Sequence, residues 1–179
     1  MEIYKEYKHN PPHLFIPNAT YLITGSVIRK FNYLDTDAKK AFFCEVLQKQ
    51  SQKFNWRLDA WACLHNHYHF VGKAPENIES IVALIRAVHS LTARFINDTD
   101  GKPGRRVWWN YWDTCIRDEK SYLTMLRYVH ENPVKHQLIE KAEDYPFSSY
   151  QWFMRVSDSD YKELVLSQDI QQIQVLDDF

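Results

Sequence analysis

Cysteine is scarce in this chain and follows no pairing pattern. Cys44, Cys63 and Cys115 are odd in number and widely spaced, with no Cys-x-x-Cys. This excludes a disulfide framework and predicts reduced, mostly buried thiols in a cytosolic protein. No apolar run approaches the roughly 20 residues of a membrane-spanning helix, and residues 1–8 lack the apolar stretch of a signal peptide. The expectation is a cytoplasmic protein with no membrane partner. Internal repeats and low-complexity segments are also missing, so the 179 residues read as one domain with an added tail.

Charge is nearly balanced, at −1, but unevenly placed. Residues 157–179 hold six acidic side chains and one basic one, Lys162. Residues 1–156 therefore keep 21 basic against 17 acidic residues, a surplus of four positive charges. A modestly basic body is compatible with nucleic-acid binding and does not require it. Aromatic residues make up 15% of the chain. Most are expected in the core, and the rest are available to stack on bases.

Three segments are expected: an irregular, proline-bearing lead-in (1–18), a folded body (19–156) and an acidic tail (157–179) that contains one peripheral helix. Residues 20–28 are β-branched and aromatic and read as a strand. Ala38, Phe42, Phe43, Val46 and Leu47 recur at helical spacing, so a helix is expected over 36–54, capped by Asp35 or Thr36. Strands over 56–64 and 67–73 follow, joined by a tight turn at His65-Asn66. A helix over 76–97 would bury Ile78, Ile81, Val82, Ile85, Val88, Leu91, Phe95 and Ile96. A strand over 107–112, with Ile116 as its outer limit, precedes a helix that starts after Asp118. Pro133 is expected to end that helix near Asn132. The first six elements give an α+β fold: a ferredoxin-like, RRM-like βαββαβ antiparallel sheet with helices on one face, plus one additional helix. That architecture serves many functions.

The most informative segment is His67-Tyr68-His69. Alternation along a strand sends both imidazoles to one face and Tyr68 to the other. The pair is either a two-point metal grip or two structural histidines bonded within the sheet. Far away, in Arg127-Tyr-Val-His-Glu-Asn-Pro-Val-Lys135, Tyr128 and Asn132 fall one helical turn apart. Leu123, Leu126 and Val129, with Tyr122, form the core stripe of that helix, which leaves Tyr128 and Asn132 to project toward the histidines. An asparagine oxygen can complete a metal site. A packing tyrosine with a helix-capping asparagine is the plainer reading.

These blocks resemble a known family. Trp61-Ala-Cys-Leu-His-Asn-His-Tyr-His-Phe70 carries an HUH motif (histidine, bulky apolar residue, histidine). Trp112-Asp-x-x-Ile-Arg-Asp-Glu119, Tyr128-Val-His-Glu-Asn-Pro-Val-Lys135 and Tyr145-Pro-Phe-Ser-Ser149 match its second half. The chain looks like the single-tyrosine HUH transposases of small insertion sequences, and most closely like the REP-associated ones, over about residues 20–152. One departure is His65, where the family usually has proline.

The resemblance implies roles. Tyr128 would be the nucleophile, attacking a phosphate of single-stranded DNA to leave a 5′-phosphotyrosine and a free 3′-OH. His67, His69 and Asn132 would hold one divalent ion, Mg²⁺ or Mn²⁺ by family precedent; ligand softness alone also admits zinc, nickel or copper. The substrate would be single-stranded DNA with a hairpin, either REP-like or an insertion-sequence end. The protein would act as a monomer or homodimer in the cytoplasm, at the nucleoid when bound to DNA. Arg105, Arg106 and Trp108 interleave charge with aromatics, which suits DNA contact or else a core strand. Arg29, Lys30, Arg117 and Lys135 are further DNA-binding candidates. The rival readings are a non-catalytic nucleic-acid-binding protein on this fold and a protein whose metal is structural.

Overall fold

The computed structural model describes residues 3–5, 13–77, 80–171 and 173. Its centre is a four-stranded antiparallel sheet formed by β3 (Thr20–Val27), β4 (Arg57–Cys63), β5 (His67–Lys73) and β6 (Trp108–Ile116), in the order β4-β5-β3-β6. With α1 (Asp37–Lys53) between β3 and β4 and α2 (Ser80–Thr99) between β5 and β6, this is the expected βαββαβ arrangement. β5 is an inner strand, paired with β3 and β4.

Each face of the sheet has its own core. Tyr21, Ile23, Val27, Tyr68, Phe70 and Trp108 meet Phe43 and Leu47 of α1 and Leu84 and Val88 of α2. On the other face Leu22, Ala60, Ala62 and Val71 meet Leu123, Leu126 and Val129 of α3 (Glu119–Lys135). Burying each of those three α3 side chains contributes about 1.5–3 kcal/mol. Two short helices, α4 (Tyr150–Val156) and α5 (Ser159–Leu166), add Phe153 and Val165 to this second core. The tail helix is therefore anchored through a fully buried valine rather than merely peripheral.

Several expectations change. The lead-in is not irregular throughout, because β1 (Ile3–Lys5) pairs antiparallel with β2 (His13–Phe15). The described part of α2 begins at Ser80, four residues later than expected. Before it the chain stays tied to the sheet, with the Ala74 N–H donating to the Ala19 carbonyl at 2.8 Å. Val82 and Leu91 are exposed, whereas Leu84, Thr92 and Asn97 are buried, so the inward face of α2 is rotated from the expected stripe; Ile78 lies outside the described residues. Most consequentially, α3 does not stop at Asn132. It continues through Pro133 to Lys135. A proline costs one N–H donor, and here that loss falls in the last turn. There the His136, Gln137 and Leu138 N–H groups still close onto Asn132, Val134 and Pro133.

Tyr68, between the two histidines, fixes how β5 sits. Its ring lies among Phe43, Phe70 and Trp108, and its hydroxyl is 2.9 Å from His89 Nε2. The burial of His89 pushes its pKa down to about 3, so it stays neutral. On β3 the ring crosses Gly25, where an added Cβ would lie 2.3 Å from Tyr68 Cε1. Glycine here makes room for the tyrosine. Gly25→Ala is expected to destabilise the fold by about 1–3 kcal/mol through overpacking, read by urea unfolding. An unchanged midpoint would show that the ring can move aside freely.

Candidate metal and tyrosine site

His67 and His69 share the α3 face of β5, as alternation requires. Their ring centroids are 5.0 Å apart, and both side chains are buried. Their Nδ1 atoms are held from behind. His69 Nδ1 is 2.8 Å from the Thr24 hydroxyl on β3. His67 Nδ1 is 2.7 Å from Asn66 Oδ1. The Asn66 amide is itself oriented, because its Nδ2 donates to the Lys30 carbonyl at 3.2 Å. Asn66 Oδ1 can only accept, so the neutral His67 ring carries its proton on Nδ1 and turns a lone pair outward from Nε2. This is the arrangement of a metal-binding imidazole with its outer hydrogen bond in place.

α3 supplies the other half of the site. Tyr128 is buried, and its ring centroid lies 5.4 Å from that of His69 in the same chain. His136, which follows the last residue of α3, lies 4.7 Å from His67, centroid to centroid. Asn132 is one turn from each, so it falls between these two contacts. The side-chain Oδ1 and Nδ2 of Asn132 are buried and have no hydrogen-bond partner among the described residues. A buried amide left unsatisfied costs about 1–3 kcal/mol. A cation bound by Oδ1 would offset part of that cost. The Nε2 atoms of His67 and His69 are buried as well. Two imidazoles and an amide oxygen are neutral donors, and they fit a divalent ion that keeps its charge for a phosphate. Among the described residues no group of three or more His, Cys, Asp or Glu side chains could hold a metal. His136 is a further neighbour of the pair.

Extending α3 through Pro133 has a chemical consequence. Lys135, seven residues after Tyr128, returns to the same helical face. Its ammonium sits 3.5 Å from the Tyr128 hydroxyl and 4.8 Å from the ring centroid. A positive charge there favours negative charge on the phenolic oxygen.

The other histidines do different work. His65 lies in the turn, and burial, with Lys40 nearby, lowers its pKa. His130 Nε2 is 3.0 Å from Ser149 Oγ, and burial pushes this ring to about 3. The Tyr145–Ser149 segment closes the edge of β4. The Tyr145 hydroxyl donates to the Cys63 carbonyl at 2.7 Å, and the Ser149 N–H donates to the Trp61 carbonyl at 2.8 Å. Through His130 this segment also ties α3 to the sheet.

The DNA-binding candidates scatter. Arg29, Lys30, Arg106, Arg117 and Lys135 are exposed. Arg105 is engaged internally, with Asp100 at 2.5 Å and Asn97 at 3.0 Å. Trp108 is buried, stacked on His89, with its indole N–H donating to Thr92 at 2.9 Å. An indole that stacks on a base needs an open face, and the open one is the next residue, Trp109, at 52% exposure. Strand alternation alone could not place it, because β3 and β6 shift register between Gly25 and Val27. The tail runs along α3, with Arg127 donating to the Gln168 carbonyl and Asp169 bordering the same cleft as Lys135.

Known proteins resemble this chain in sequence and in fold. The chain is 24% identical over 138 residues to the REP-associated tyrosine transposase of Escherichia coli K12, covering 76% of this chain and 79% of that protein. Its fold is similar to the solved structure of a REP-associated tyrosine transposase bound to a REP hairpin, with a TM-score of 0.70 and 20% identity over 95% of both chains. The model of the family described as "Transposase IS200 like" matches residues 16–132, a span that includes His67, His69, Tyr128 and Asn132. The chain belongs to this family, the single-tyrosine HUH transposases to which its two distant motifs pointed.

Proposed function

We propose that this chain cleaves and rejoins single-stranded DNA beside a hairpin through a covalent bond to Tyr128. The observation that carries the reading is the contact of Tyr128 with His69, together with the buried, unsatisfied amide of Asn132 one helical turn further on. In the first step the Tyr128 phenolic oxygen attacks phosphorus. The phenolic proton leaves to solvent, the new P–Oη bond replaces the P–O3′ bond, and the departing 3′-oxygen takes up a proton from solvent, leaving a 5′-phosphotyrosine and a free 3′-OH. A free 3′-OH reverses this on a second strand, so bond energy is conserved without a nucleotide cofactor. Lys135 stabilises charge on the phenolic oxygen, as nucleophile in the first step and as leaving group in the second.

His67, His69 and Asn132 would hold Mg²⁺ or Mn²⁺. When bound, such an ion polarises the phosphate and orients it for in-line attack. Thr24 and Asn66 keep the two rings aimed.

The solved relative is bound to a REP hairpin, and hairpin-flanked single strands are the substrate class proposed for this chain. Arg29, Lys30, Arg106, Arg117 and Lys135 would neutralise the DNA backbone, making affinity fall with salt. Tyr128 meets His69 within one chain, which favours action in cis by a monomer. No helix among the described residues is long and apolar enough to cross a membrane, and we place the activity in the cytoplasm, at the nucleoid.

Tyr128→Phe is expected to abolish the denaturant-stable adduct with a hairpin oligonucleotide while leaving its affinity within about threefold, because removing one hydroxyl spares the ring packing. An adduct formed by the Phe variant would disprove the nucleophile. Thr24→Val is expected to weaken Mn²⁺ binding by about 10–100-fold through loss of His69 orientation, measured by calorimetric titration. Unchanged affinity would mean that packing alone aims the ring.

A further inference from the structure

We infer that Trp109, with Arg106, Arg29 and Lys30, forms a stacking pocket for the unpaired DNA base adjoining the scissile phosphate. The inference rests on the single-stranded DNA reading above and specifies where one nucleotide is held. A cleft of about 410 Å³ is lined by Ser26, Val27, Ile28, Arg29, Lys30 and Trp109. Its size falls within the roughly 300–1,000 Å³ of small-molecule sites.

Three features point to a nucleotide. Trp109 leaves 52% of its surface exposed, next to the buried Trp108. Its indole is preset: the Arg106 guanidinium lies 4.6 Å over the ring and is itself held by the Trp108 and Trp109 carbonyls at 3.1 and 3.3 Å. An immobilised aromatic platform beside fixed positive charge is how proteins hold single-stranded bases and their phosphates. The same cleft is lined by a turn in which two consecutive charged residues, Arg29 (φ 52°) and Lys30 (φ 54°), adopt left-handed backbone. That conformation is costly for any side chain with a Cβ, and such strain gathers at ligand sites.

The position ties this pocket to the chemistry. Ser26, which lines the cleft, is the register partner of His67 across β3 and β5. The Lys30 carbonyl accepts from Asn66 Nδ2, and Asn66 Oδ1 meets His67 Nδ1. One asparagine therefore joins the cationic turn to the ring that would hold the ion. A base seated against Trp109 places its phosphate on the His67 side of the cleft.

The test is an abasic scan by fluorescence anisotropy, without divalent metal so that no strand is cut. Hairpin oligonucleotides lose one base at a time from the single-stranded flank. For the native protein one flank position is expected to lose about tenfold in affinity. Trp109→Ala should weaken the intact oligonucleotide by about tenfold and abolish the loss at that position, while Trp109→Phe should restore much of both. Trp109→Ala binding that equals native, or an unaltered abasic profile, overturns the pocket. Native protein that forms adduct but gives a flat scan overturns the pocket alone. Native protein that neither binds nor forms adduct overturns the DNA reading, and the pocket with it.

Discussion

The alternation of side chains along β5 is the constraint on which the rest of the molecule depends. An inner strand buries both faces, so each residue of His67-Tyr68-His69 must be satisfied by what covers its side. Tyr68 goes into the ring-rich core under α1 and α2, where Gly25 gives it room. The histidines go to the face covered by α3. A one-residue slip would exchange the two environments, putting a tyrosine in the site and imidazoles among Phe43, Phe70 and Trp108. The depth of the first core therefore sets the register of the second.

Once the histidines face α3, the helix must meet them with polar groups without losing its own packing. It does so by dividing its faces. Leu123, Leu126 and Val129 supply the apolar contact, and Tyr128, Asn132, Lys135 and His136 come round at intervals of four, three and one residues. The unsatisfied Asn132 amide is a cost that apolar packing does not offset. Both polar atoms of that amide lack a partner among the described residues, which is the strongest sign that a ligand belongs there. Outer hydrogen bonds from Thr24 and Asn66 prepare the imidazoles in advance, so their geometry does not wait for an ion.

Much of this was legible in the sequence because it rests on local periodicity. Period two placed both imidazoles on one face, and period 3.6 placed Tyr128 and Asn132 together. The element order gave the ferredoxin-like sheet. What escaped depended on tertiary packing. Pro133 read as a stop, yet the last turn of α3 tolerates a missing donor, and Lys135 and His136 reach the site only because the helix continues. Trp108 and Trp109 are indistinguishable by type, and the shift between Gly25 and Val27 decides which is buried. Asn66 read as a turn residue, and its second task, orienting His67, appears only when the Lys30 carbonyl is brought to it.

The central claim is that His67 and His69 bind one divalent ion at the tyrosine helix. Pulsed electron paramagnetic resonance of the Mn²⁺-loaded protein tests it without recourse to activity. Nitrogen couplings from two imidazoles are expected, one lost in His67→Ala and the other in His69→Ala. A bound Mn²⁺ that shows no imidazole coupling, or whose couplings survive both substitutions, would contradict it.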